Sequence, residues 1–176
     1  MHGEVAVNRT KRLFIAALFG AIISLTKVLL PFPMDKMFIV VQAVLLAISA
    51  LFIKKIGATY VGAVDGALTA IWRPALGPFT FAFAFLYGVL VDAFFFLFKV
   101  HPNTDNVNRI KIVTAMTLST AIIGFLSYYI TVVLLELLPM EPGLAAPIIV
   151  MGSISGAIAG YAAAYLWNKH LKNVLL

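Results

Sequence analysis

Basic residues fall on alternate connections of this chain, and the stretches between them are too apolar for water. The groups are Arg9, Lys11 and Arg12; Lys54 and Lys55; Lys99, Arg109 and Lys111; and Lys169 and Lys172. The intervening connections carry only Lys27, Lys36 and Arg73 of the 13 Lys and Arg residues. Lys/Arg bias in short loops sets the orientation of membrane helices. The alternation therefore predicts an all-α, polytopic membrane protein: a bundle of six transmembrane helices with both termini cytoplasmic, in a cell (plasma or inner) membrane.

Composition points the same way. Hydrophobic residues make up 62% of the chain and charged residues 11%, against about 25% charged in a soluble domain. One membrane domain spanning residues 1–176 is expected. The formal net charge of +6 sits at the ends of apolar runs, which assigns it to orientation and anionic lipid contact rather than to nucleic acid. The chain has no cysteine, which excludes disulfides, thiolate catalysis and cysteine metal sites. The first apolar run outlasts a signal-peptide h-region and lacks an A-x-A site, so it reads as the first span.

A span needs about 20 mostly apolar residues. The expected spans are 13–30, 37–53, 57–72, 79–98, 110–138 and 144–167. Pro31-Phe32-Pro33, Arg73-Pro74 and Pro139-Met140-Glu141-Pro142-Gly143 turn the chain on one side; a polar loop, His101–Asn106, turns it on the other. Small residues recur every four positions: Ala58, Gly62, Gly66 and Ala70 in span 3, and Gly152, Gly156, Gly160 and Ala164 in span 6. Span 1 has Ala16 and Gly20, with Ala17 and Ala21 beside them. Such stripes let helices approach closely. In spans 3 and 6 they read as packing within the bundle; in span 1 they read as a docking face for a separate membrane subunit.

Chemistry concentrates on two acids, Asp65 in span 3 and Asp92 in span 4. Each costs about 2.5–3.5 kcal/mol at a helix centre on an insertion scale, so each needs a partner or a purpose. The structural reading is an ion pair or hydrogen bond within the bundle, with Lys27 or a Ser/Thr hydroxyl. The functional reading is a ligand contact or a proton site. Tyr87 needs a hydrogen-bond partner if buried. Trp72, Tyr128 and Tyr129 lie in the outer parts of spans 3 and 5, as an interfacial belt or as ring-stacking groups. The chain has no G-x-x-x-x-G-K-[ST] loop and no H-E-x-x-H motif. Its three histidines, His2, His101 and His170, are scattered. No enzyme activity, metal or cofactor is expected.

The chain resembles the substrate-binding S component of energy-coupling factor (ECF) type ABC transporters, which import vitamins. Ala17-Leu18-Phe19-Gly20-Ala21 is similar to the Ala-x-x-x-Ala stripe of the family's first helix, which contacts the coupling subunit. Lys54 to Ala63 resembles the basic loop and the start of the Gly/Ala-rich third helix. Pro74-Ala75-Leu76-Gly77-Pro78 resembles the loop after that helix. Tyr87 to Phe94 resembles the fourth-helix segment that places an acid in the vitamin site of the thiamin/hydroxymethylpyrimidine branch, and Ser153 to Gly160 resembles the sixth helix. Tyr87 stands where that branch commonly has Gln, and Asp92 where it commonly has Glu. The resemblance implies a small vitamin or precursor as ligand, such as a cationic or amino-bearing one. It also implies an acid contact from Asp92, docking through the Ala17–Ala21 stripe, and partnership with a transmembrane coupling subunit and two cytosolic ATPases; the reading of the residues adds Asp65, Trp72, Tyr87, Tyr128 and Tyr129 as substrate contacts and Ala16 and Gly20 to the docking face. The alternatives are a small proton-coupled carrier using Asp65 and Asp92, and a non-transport accessory protein.

Overall fold

The computed structural model describes residues 2–29, 38–53, 56–74, 77–100, 107–134 and 145–171. The expected turns around Pro33 and Pro139–Gly143, the loop His101–Asn106, and Lys54-Lys55 lie outside these residues. The described chain is helical and contains no strand. The helices are α1 (His2–Leu29), α2 (Ile39–Ile53), α3 (Gly57–Trp72), α4 (Gly77–Leu97), α5 (Arg109–Tyr128) and α6 (Ala145–Leu166). Wider π-helical turns extend α5 over Tyr129–Leu134 and α6 over Trp167–Leu171.

Four helical stretches are long and apolar enough to cross a bilayer: Thr10–Leu29, Gly77–Leu97, Arg109–Val133 and Ala146–Leu171. They make the chain a membrane-embedded protein. The two remaining helices are short. α2 has 15 residues and α3 has 16, giving lengths of about 22 and 24 Å, less than the ~30 Å hydrocarbon core. The helix of span 1 begins well before Leu13, because the polar lead-in His2–Arg12 contains no proline to break it.

The short α2 is the hub and packs against each of the other five helices. Its residues Leu46–Leu51 are all buried, as are Ala43 and Ile53. This explains why α2 is apolar all round: a helix surrounded by others has no polar face. Around it, α1 packs on α3, α3 on α4, α4 on α5, and α5 on α6.

The two tightest pairings, α3 with α4 and α5 with α6, use the glycine stripes. A Cβ on Gly62 would meet the Ala84 carbonyl oxygen, and one on Gly88 would meet the Ala58 carbonyl oxygen. In the second pair, a Cβ on Gly156 would lie 2.6 Å from the Met116 oxygen. Only glycine allows backbones this close. The stripes of spans 3 and 6 are thus consumed within the bundle.

α4 closes with the chain reversing at Lys99 (φ 51°). The Lys99 N–H donates to Phe96 and the Val100 N–H to Phe95, the paired closure usually built on glycine.

Candidate functional site

α3 starts without a local cap. Its N-cap position is Ile56, at φ 49° and ψ 29°, which has no side-chain oxygen to offer. The amides of the first turn therefore need acceptors from elsewhere, and Asp92 of α4 supplies them. One Asp92 oxygen accepts from the Ala58 N–H at 3.2 Å; the other accepts from the Thr59 N–H and the Thr59 hydroxyl, both at 2.7 Å. This is a helix cap delivered across a helix pair. The negative carboxylate also faces the positive end of the α3 dipole. Gly88, one turn earlier on α4, permits the close approach that brings Asp92 into range.

Asp65 occupies the middle of α3 and is fully buried. One of its oxygens accepts from Lys27 Nζ of α1 at 2.6 Å and from Gln42 Nε2 of α2 at 3.4 Å. The other accepts from the Thr69 hydroxyl at 3.1 Å, and Thr69 also reaches Ser24 of α1 at 3.2 Å. Three helices thus converge on one carboxylate. A buried charge without a partner is strongly destabilising, and the Lys27 ammonium offsets that penalty. The Lys27 side chain keeps 19% exposure against 1% for Asp65. The arginine at the end of α3 closes the same corner, since the Arg73 guanidinium donates to the Lys27 carbonyl oxygen. α1 can approach because Ala16 and Gly20 face inward, Gly20 lying against Val64 and the Asp65 amide.

A third polar contact joins α4 to α5. The Tyr87 hydroxyl lies 2.8 Å from the Thr120 hydroxyl, both buried, and Thr120 also donates to the Met116 carbonyl oxygen at 2.7 Å.

The candidate residues therefore separate. Asp92 sits near the end of α4 and the start of α3, at the end of the bundle that carries Lys99 and Arg109. Both its oxygens are taken up by α3. Asp65 lies farther along α3, toward the end where Trp72 is 67% exposed. Tyr87 is committed to Thr120. Tyr128 is half-buried, while Tyr129 is exposed and stacked on Phe125 with ring centroids 6.4 Å apart. The span 1 stripe divides: Ala16 and Gly20 pack inward, and Ala17 and Ala21 are exposed. Sequence reasoning named Lys27 or a Ser/Thr hydroxyl as partner of these acids without placing the hydroxyls, which are Thr69 for Asp65 and Thr59 for Asp92, and missed Gln42 and the capping of α3 by Asp92. The spacings Ser24/Lys27 (i, i+3) and Asp65/Thr69 (i, i+4), which put each pair on one helix face, were the available signal.

Among the described residues no cluster of three or more His, Cys, Asp or Glu side chains could hold a metal ion. No known family profile matches the chain, and neither the curated proteins nor the solved structures yield a match.

Proposed function

We propose that the chain is the membrane-embedded substrate-binding subunit of an ATP-driven micronutrient importer, with six spans and both termini cytoplasmic. In this reading α2 and α3 cross the bilayer despite their length because neighbouring helices surround α2 and flank α3. The observation that supports it is the Lys27–Asp65–Gln42 cluster, a buried hydrogen-bonding group in a chain with no energy-converting motif of its own. In this reading, which the basic-loop pattern supports, the Trp72 end of α3 faces the cell exterior and the cluster lies between that end and the core.

The ligand site is assigned to this cluster, with Trp72 farther along α3 and Tyr128 and Tyr129 at the same end of the bundle. Lys27 offers ammonium hydrogens beyond the one given to Asp65, and Gln42 offers an amide. A small polar vitamin or precursor would take these donors and acceptors in place of water. Asp92 supports the fold of α3 and is not assigned to the ligand. The exposed Ala17 and Ala21 face of α1 is left for the coupling subunit, and the resemblance supplies the two cytosolic ATPases.

The test is calorimetric titration of the purified chain with thiamin, hydroxymethylpyrimidine, riboflavin and biotin, with mass spectrometry of anything carried through purification. Saturable binding of one of these compounds is expected. No saturable binding, with the native partner subunits present, counts against the proposal.

A second reading rests on the same cluster. Asp65, held by a lysine, is a site where a proton could be exchanged, which would suit a small proton-coupled carrier. Proteoliposomes containing this chain alone separate the two: gradient-driven uptake supports the carrier, and its absence supports the binding subunit.

A further inference from the structure

Among residues whose side chains are described, the only acids are Asp65 and Asp92, and both are engaged inside the bundle. The exposed basic residues gather at one end, and the α5–α6 corner is the best defined part of it. There the Asn168 side chain clasps the backbone of Val107, donating to its carbonyl at 3.1 Å and accepting from its N–H at 2.8 Å. Gly160 lets α6 press on Ile112 and Val113. The start of α5 and the end of α6 are thereby locked together, placing exposed Arg109 and Lys111 on the same rim as exposed Lys169 and His170.

This rim borders a surface suited to acyl chains. α6 exposes Met151, Ile154 and Ile158 and then Tyr161 and Tyr165; α5 exposes Ile110, Leu118 and Ile122. The Lys169 ammonium returns along α6 to lie 2.9 Å from the Tyr165 hydroxyl and 5.3 Å from its ring centroid. Tyrosine at the edge of an apolar band, with a lysine ammonium against its hydroxyl and ring, is an arrangement found at headgroup depth.

We infer that Arg109, Lys111 and Lys169 form a binding site for the phosphate of an anionic phospholipid, whose chains lie along the apolar faces of α5 and α6. The inference rests on the membrane reading but not on the micronutrient. The apolar surface continuous with the charges selects a lipid over a free phosphate. The site also clamps the α5–α6 corner from outside, where Asn168 clamps it from within.

The experiment is native mass spectrometry of the full chain in detergent, titrated with phosphatidylglycerol, phosphatidylcholine or inorganic phosphate. The chain should retain phosphatidylglycerol at least tenfold better than phosphatidylcholine. Each charge near the surface contributes roughly fivefold, so the triple variant Arg109→Gln, Lys111→Gln, Lys169→Gln should lose on the order of a hundredfold. Lys111→Gln alone should lose about fivefold; it keeps the test decisive if the triple variant does not fold. Lys11→Gln with Arg12→Gln on α1 should leave retention within about threefold, less than one charge step, because neither side chain belongs to the α5–α6 corner. Equal retention of the two lipids, no loss in the α5–α6 variants, or full displacement by inorganic phosphate would overturn the site. Micronutrient titrations on the same variants should be unchanged, so the two proposals fail separately.

Discussion

The start and the middle of α3 each engage one carboxylate, Asp92 of α4 and its own Asp65, and hold it differently. At its start, Asp92 is bound by three donors that all belong to α3 itself, two of them backbone amides. At its middle, Asp65 is bound by side chains from α1, α2 and its own helix. Backbone amides of a helix cannot leave without unwinding the helix. Lysine and glutamine side chains can swing to another partner at the cost of one rotamer change. The comparison teaches that depth in the membrane does not make an acid functional; what matters is whether its partners can be exchanged. On that criterion Asp92 is a fixed part of the scaffold and Asp65 belongs to the replaceable set.

Stability measurements can break this distinction. Lys27→Met should be the costliest change, because it strands a buried carboxylate; a loss of about 3–5 kcal/mol is expected. Thermal unfolding in detergent reads it, and Lys27→Met combined with Asp65→Asn should recover most of the loss. If the double variant is no better than the single, the pair is not the source of the cost. Asp92→Ala should cost about 2 kcal/mol, at the upper range of a lost cap. Asp92→Asn should cost less, since its one amide oxygen can keep the two Thr59 hydrogen bonds while the Ala58 N–H loses its acceptor. Hydrogen exchange should show the loss at the α3 amides of Ala58 and Thr59 and leave the rest protected. Protection lost evenly over the bundle would contradict the capping role.

Smaller effects sharpen the comparison. Ile56 is 51% exposed and held at a positive φ, a conformation that costs a β-branched residue about 1–2 kcal/mol. Ile56→Gly should therefore raise the melting temperature in spite of glycine's flexibility, and a fall would show that Ile56 contributes packing instead. Trp167 is buried against Phe52 at 5.2 Å, and its indole N–H meets no acceptor among the described residues. Trp167→Phe removes an unsatisfied donor together with some volume. The two effects oppose, so the change should stay within about 1 kcal/mol.

The positions of the helices were legible because apolar runs, prolines and basic clusters mark them in any membrane chain. The glycine stripes of α3 and α6 were read as packing, and they pack. The count of six spans belongs to the proposal: four helices are long and apolar enough to cross a bilayer, while α2 and α3 are described over 15 and 16 residues. The site was harder to read. Asp92 acts on amides 33 and 34 residues earlier in the chain, a relation no local motif encodes. Its trace was an absence, since Ile56 stands at a helix start where Ser, Thr, Asp or Asn normally sits. The α1 stripe divides for a related reason: residues one position apart on a helix face different ways, so Ala16 and Gly20 turn inward while Ala17 and Ala21 turn out.

The most direct measurement follows ligand affinity in the two acid variants side by side. A Trp167→Phe background lets Trp72 fluorescence alone report titration with the micronutrient identified by mass spectrometry. The account predicts saturable binding in the parent, the same affinity within about threefold for Asp92→Asn, and a loss of at least tenfold for Asp65→Asn, the scale of one charged hydrogen bond. Binding that survives Asp65→Asn and disappears with Asp92→Asn would contradict it.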